Sequence, residues 1–247
     1  MMRITFLYHS AFLVELETCT LLFDWYGGNL PEMDRTKPLY VFNSHHHGDH
    51  YSPEIFTLGM ENTWYILGSC IRLSAKRKAA YAIEDDHVFR LGGGRTLDLG
   101  GLHITTLTST DSGVAFLVEA EGKTIYHAGD LHWWHWEGEP AQWNRDMERD
   151  FKREMEKLKG RAIDAAFLVL DPRQEKDYWL GFDWTMRQAD IRQAFPMHSW
   201  EEFWITKKLL DDPCSEPYRD RVNFIRYNGQ QFELHGAMEE KSKGEEL

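Results

Sequence analysis

Six consecutive residues, His45-His46-His47-Gly48-Asp49-His50, concentrate the chemistry of this chain. Imidazole and carboxylate are the usual ligands of zinc-like divalent ions. Residues two apart in an extended segment share a face, so His45 and His47 can reach one ion. The turn at Gly48 redirects the chain and lets Asp49 and His50 face a second ion or position a water. The bland alternative is a solvated polyhistidine loop or an expression tag, but a tag would be terminal and would lack the embedded Asp49. His9 is a lone histidine after the first apolar run; it can sit near the mouth of a cleft, but a lone histidine is usually structural. Arg173, Lys176 and Arg187 are candidates to hold a phosphate or carboxylate; on an acidic chain scattered cations more often solvate the surface.

These side chains need elements to position them. Leu39 to Phe42 is a short apolar run that stops at Asn43, a buried strand opening into the polar histidine loop. Ile4 to Glu17 alternates loosely, and Leu21 to Phe23 follow, which predicts a β-hairpin ending at Asp24. Residues 88–91 and 96–99 read as strands about a turn at Gly92–Gly94. That glycine triplet matches neither a P-loop nor a dinucleotide fingerprint. Residues 102–108, 114–119 and 124–127 are further strands, the last two joined by the Glu121–Gly122–Lys123 turn. Met147, Phe151, Met155 and Leu158 recur at helical spacing and predict an amphipathic helix over 142–159. Residues 163–170 predict another buried strand. Thr185 is placed as the cap of a helix running through Phe195 and ended by Pro196, with a second helix over 200–211. No repeat or linker-like composition shift appears, so residues 1–236 are read as one α/β or α+β layered domain, followed by a charged, frayed tail over 237–247.

Composition narrows the partners. The 247 residues carry 28 Lys and Arg against 40 Asp and Glu, a formal charge of −12, which disfavours nucleic acid. The apolar runs are too short to span a bilayer. Arg3 precedes an apolar stretch, but His9, Ser10, Glu15 and Glu17 interrupt it and no cleavage pattern follows, so it reads as strand rather than signal peptide. Three widely spaced cysteines, Cys19, Cys70 and Cys214, form no CxxC pair and favour a reducing cytoplasm.

The HxHxDH run formed by His45, His47, Asp49 and His50 resembles the signature of the metallo-β-lactamase superfamily. Other segments match in order: ITFLYHSAFLVE and LLFD, ending at Asp24, resemble its first strands and early Asp. Ile125-Tyr126-His127-Ala128-Gly129-Asp130 resembles its "hAGD" segment, and Phe195-Pro196-Met197-His198 its late "PmH" segment. The resemblance covers nearly the whole chain, and its local detail is most similar to the L-ascorbate-6-phosphate lactonase-like subgroup. It implies a four-layer αβ/βα sandwich with a metal cleft between the sheets.

It further implies His45 and His47 at one ion, Asp49, His50 and His198 at the other, and Asp130 bridging them. Asp24 and His127 orient the ligands; a core histidine role is as good a reading of His127. One expected histidine is missing: after the strand 102–108 the chain reads Ser109-Thr110-Asp111-Ser112. Asp111 can replace it as an oxygen ligand, His103 or His132 can swing in, or the first position can be weak; the reading taken here is Asp111, which tilts the site toward Mn²⁺ or Fe²⁺. Leu131 is followed by His132, Trp133, Trp134, His135 and Trp136, a loop that on this fold hangs over the cleft and lines the substrate. The alternative is that its indoles cap the core or form a homo-oligomer contact.

The function implied is a hydrolase with one or two divalent ions, zinc foremost, acting on a small-molecule ester, lactone or phosphoester, with Asp49 as metal ligand and proton acceptor. The rivals are a small-substrate or RNA-processing type of phosphodiesterase on the same fold, and a non-catalytic metal-binding protein with a drifted site.

Overall fold

The computed structural model describes residues 1–58 and 61–234. The N-terminal apolar stretch forms β1 (Met2–Tyr8) and β2 (Ala11–Glu15), followed by β3 (Thr20–Phe23), all paired antiparallel. The stretch 4–17 is therefore two strands rather than one hairpin arm. His9 breaks it, taking a φ of 47° in the two-residue turn between Tyr8 and Ala11. β4 (Leu39–Asn43), β5 (Thr63–Gly68) and β6 (Val88–Leu91) then add in parallel, with α1 (Ala75–Ala80) between the last two.

β7 (Thr96–Leu99), β8 (Leu102–Thr108), β9 (Val114–Ala120) and β10 (Lys123–His127) make an antiparallel meander in a second sheet. The glycine run at 92–94 thus carries the chain from one sheet to the other. After α2 (Ala141–Met155) come β11 (Ala162–Ile163), β12 (Ala165–Val169), α3 (Leu180–Gln188), β13 (Asp190–Ile191), β14 (Ala194–Met197) and α4 (Trp204–Asp211). β12 and β14 extend the second sheet in parallel, and β15 (Gln231–Leu234) returns to the edge of the first beside β1. The orders are β15-β1-β2-β3-β4-β5-β6 and β14-β12-β10-β9-β8-β7.

The two sheets share one hydrophobic core. Phe12 and Phe23 from the first meet Phe167 from the second at ring centroid distances of 4.0 and 5.9 Å, and Phe195 packs beside Phe167. Phe151 and Met155 of α2, Phe182 of α3 and Ile205 of α4 join the same core. Leu13, Leu22 and Val41 face the other way and pack with Ile55 and Ile71. Helices and sheets thus stack in the αβ/βα layering that the sequence resemblance implies. The fully buried Phe167 ring packs against Phe12, Phe23, His127 and Phe195 from both sheets, so Phe167→Ala should lower unfolding free energy by about 3–5 kcal/mol, read from urea denaturation.

The expected helix over 185–195 is displaced. α3 ends at Gln188, because Ala162 and Ile163 draw Asp190 and Ile191 into a parallel pairing. Thr185 lies inside α3 rather than at its start; its hydroxyl donates back to the Gly181 carbonyl. Residues 194–197 are a strand, and Pro196 is tolerated there because β14 is an edge strand, where a missing N–H costs no inner ladder bond. The helix expected over 200–211 starts at Trp204. The expected tail over 237–247 lies outside the described residues.

Direction matters most for function. β1, β3 and β4 run the same way in one sheet, as do β8, β10, β12 and β14 in the other, and their C-terminal ends open on a common rim.

Candidate metal centre

Each strand that ends at this rim delivers a polar side chain. β1 supplies His9, β3 Asp24, β4 the loop from Ser44 to His50, β8 Asp111, β10 Asp130, β12 Asp171 and β14 His198. The histidine loop is locked by close backbone approach. Val114 N–H of the second sheet donates to the Ser44 carbonyl at 3.1 Å, and Gly113 (φ 71°) and Gly129 (φ 51°) leave room for it. A Cβ at Gly113 would lie 2.0 Å from the Ser44 oxygen, and one at Gly129 would lie 2.6 Å from the Ser44 Cβ.

Asp24 is fully buried and anchors Ser44 and His50. It accepts from the Ser44 N–H at 2.6 Å, the Ser44 hydroxyl at 2.7 Å and His50 Nδ1 at 2.7 Å. Having donated its hydrogen to Asp24, the Ser44 oxygen can only accept from His45 Nδ1, 2.9 Å away. His198 Nδ1 donates to the buried Asp171 at 2.9 Å. Three imidazoles are therefore each held by Nδ1–H, which turns Nε2 inward. All three Nε2 atoms converge on Asp130: His45 at 3.3 Å, His50 at 3.1 Å and His198 at 3.4 Å. His50 Nε2 and Asp130 Oδ1 are buried and lack a hydrogen-bond partner. Buried lone pairs gathered around a carboxylate call for a cation, and a divalent ion fits that donor set.

Two donor groups emerge. Asp49 and His50 gather with His9 and His198; His45 and His47 gather with Asp111 and Asp130. Asp130 Oδ1 faces the first group through His50 and His198, while its Oδ2 faces His45. Asp111 Oδ2 lies 3.6 Å from His47 Nδ1. His103 instead pairs with Asp98 at 2.6 Å on an exposed strand face, and His132 is buried against Gln174 at 2.7 Å. His127, also buried, lies 3.9 Å from Asp24, and its Nε2 donates to the Ser10 carbonyl at 2.9 Å.

The electrostatics follow from this crowding. Burial raises the Asp130 carboxyl, but the charges of His50 and His198 outweigh it and hold the group well below the usual carboxylate range. His50 moves well above its ordinary value: burial lowers it, and the carboxylates of Asp130 and Asp24 overcome that. That extra proton is the one a bound metal ion would displace. His9 is pushed down to about 4, chiefly by burial and against the pull of Asp49, so its ring is neutral near pH 7. Asp49 stays ionised, because His9 and His50 outweigh the cost of its partial burial.

Over the two groups lies a cavity of about 280 Å³, lined by His47, Asp49, Asp111, Asp130 and His198 below and by Trp134, Trp136, Trp143, Met147, Arg173 and Trp200 around it. Of the five loop residues expected to line substrate, Trp134 and Trp136 reach this cavity, stacked at 5.8 Å. The other three point elsewhere: His132 to Gln174, Trp133 to Phe151 and Lys152, and His135 to Asp177. Arg173 reaches the cavity, held by Asp171, whereas Lys176 pairs with Glu137 and Arg187 with Asp183. Trp143, Met147 and Trp200 escaped the sequence reading. Met147 was read as part of the core stripe, and only its i, i+4 spacing from Trp143 hinted at a shared wall. A larger cavity of about 570 Å³, lined by Met2, Lys123, Arg192 and Phe232 among others, contains no histidine.

Two facing mixed sheets with paired histidine–aspartate groups at their common rim define the class of αβ/βα sandwich proteins. The chain belongs to the metallo-β-lactamase superfamily: the family model of the beta-lactamase superfamily domain matches residues 3–142, more than half of its length. It is similar to proteins named UPF0173 metal-dependent hydrolase. One from Alkaliphilus metalliredigens is 30% identical over 148 residues, covering 52% of this chain and 63% of the relative. One from Desulforamulus reducens is 33% identical over 148 residues, covering 52% and 62%. The chain thus matches less than two thirds of the length of these curated relatives. Among solved structures, its fold is similar to Igni18, a metallo hydrolase from Ignicoccus hospitalis (TM-score 0.61, 16% identity, 95% of this chain and 99% of that one). It is also similar to CmlA, a diiron β-hydroxylase from Streptomyces venezuelae (TM-score 0.62, 11% identity, 94% and 54%).

Proposed function

We propose that this chain is a metal-dependent hydrolase that cleaves a small ester, lactone or phosphoester. The observation that carries the reading is the convergence of three Nδ1-anchored imidazoles on Asp130 beneath an aromatic cavity. His45, His47, Asp111 and Asp130 would hold one divalent ion, and Asp49, His50, His198 and Asp130 a second. When bound, such an ion supplies Lewis acidity, making water acidic enough to yield hydroxide near neutral pH and polarising the bond to be cleaved.

The chain's own residues do the rest. Asp49 lines the cavity as an ionised carboxylate and accepts a proton from the attacking water. Asp24, Ser44 and Asp171 fix the tautomers of His45, His50 and His198, so the donor set costs little reorganisation. Trp134, Trp136 and Trp200 wall the cavity, offer flat apolar surface to the substrate and exclude bulk water from the reacting bond.

Zinc is the first choice of ion for these imidazole and carboxylate donors. Asp111, standing where a histidine was expected, adds a hard oxygen donor beside His45 and His47, which also suits Mn²⁺ or Fe²⁺. The relatives named as metal-dependent hydrolases support the reaction class. The net charge of −12 favours a small substrate over a nucleic acid. Cys19, Cys70 and Cys214 are free thiols, which is the ground for placing the protein in the cytoplasm. Among the described residues no helix is long and apolar enough to cross a membrane.

Elemental analysis of untagged protein, purified without added metal, should find up to two ions per chain. Chelation should abolish hydrolysis in a panel of lactones, p-nitrophenyl esters and bis(p-nitrophenyl) phosphate, and metal should restore it. Protein that takes up neither Zn²⁺ nor Mn²⁺ nor Fe²⁺ would overturn the reading.

A further inference from the structure

His9 occupies a position that no part of the mechanism above uses. It sits in the two-residue turn between Tyr8 of β1 and Ala11 of β2, at a φ of 47° that residues other than glycine rarely adopt. Its side chain is 5% exposed, and neither ring nitrogen has a hydrogen-bond partner. A buried imidazole left this way normally loses stability relative to any apolar residue of its shape. Its surroundings show what the ring faces. It lies 4.2 Å from the ring of His198 and 5.5 Å from that of His50, with Nε2 3.4 Å from Asp49 Oδ2. Trp200 covers it from outside at 4.4 Å, and the His198 N–H donates to the His9 carbonyl at 3.0 Å, tying the two backbones together. The strained backbone thus holds an unpartnered nitrogen among the donors of one ion.

We infer that His9 is a metal donor alongside Asp49, His50 and His198, an inference that rests on the metal reading of the site. One group then offers three imidazoles with Asp49, and the other two imidazoles with Asp111 and Asp130. The histidine absent after β8 is offset by one after β1. The two positions differ in softness as a result: the His9 group suits Zn²⁺ or Co²⁺, and the Asp111 group a harder ion.

The test is a titration of chelator-stripped protein with Co²⁺, following visible absorption and bound ions per chain, for the wild type and two variants. His9→Asn suits the positive φ and offers only a weak amide oxygen; His9→Phe keeps a ring between His198 and Trp200. In both, one of the two ions should bind at least about tenfold more weakly, with a changed absorption band, while the other is unaffected. Variants that titrate like the wild type in affinity and spectrum would overturn the role of His9. A wild type that binds no Co²⁺ would instead remove the metal reading itself.

Discussion

Asp130→Asn should empty both metal positions at once. The side chain keeps its shape, but it loses the charge around which His45, His50 and His198 gather at 3.1–3.4 Å. Losing a hydrogen bond that merely orients a ligand costs roughly 10–100-fold in metal affinity. Removing the carboxylate shared by two ions should exceed that for each, and hydrolysis should fall below detection. Thermal stability gives an independent readout. Wild type at a metal concentration 100 times its dissociation constant gains about 2.7 kcal/mol of stability from binding. The variant should show almost none of that gain, so its melting temperature with and without metal should coincide. Two ions retained per chain would mean that the donor groups do not share Asp130.

Gly113→Ala should be the most damaging single-methyl change in the rim. Two costs add: a non-glycine residue at φ 71° carries about 1–2 kcal/mol, and forcing a methyl into filled space adds roughly 1–3 kcal/mol. The new Cβ would lie 2.0 Å from the Ser44 oxygen and 2.6 Å from the His45 Cβ, and neither can retreat, since Ser44 is fixed to Asp24 and Val114. Urea denaturation should show a total loss of about 2–5 kcal/mol, together with weaker metal binding as His45 shifts. An unchanged midpoint would mean that the loop is not held as tightly as these contacts imply.

How much of this was legible beforehand depended on whether a residue's role was encoded next to it. The HxHxDH run and Asp130 carry their proposed roles in short motifs, and the apolar strands before them announce the loops that present them. Asp111 was reachable through an absence, since the expected histidine was missing and a carboxylate stood in its neighbourhood. His9, Trp143 and Trp200 were not reachable, because their meaning comes only from the docking of distant strands and a helix at one rim. The split of 4–17 into two strands was hidden for a related reason. His9 takes its positive φ in a segment whose hydrophobic pattern alternates loosely throughout. The misplaced helix before Pro196 has another origin: a proline that normally ends a helix is equally at home on an edge strand, and only the sheet order tells the two apart.

The common rim also dictates the order of events as the chain folds. Asp49 and His50 come from the first sheet, Asp130 and His198 from the second, and His9 meets His198 only after the 188 residues between them have been arranged. Contacts of such sequence separation form late, because the entropy of closing the loop must be met before they contribute. Among the described residues, neither of the two donor groups at the rim is complete without both sheets, so a chain lacking one sheet cannot offer that geometry. If the proposed ions bind, loading with metal is a readout of finished folding.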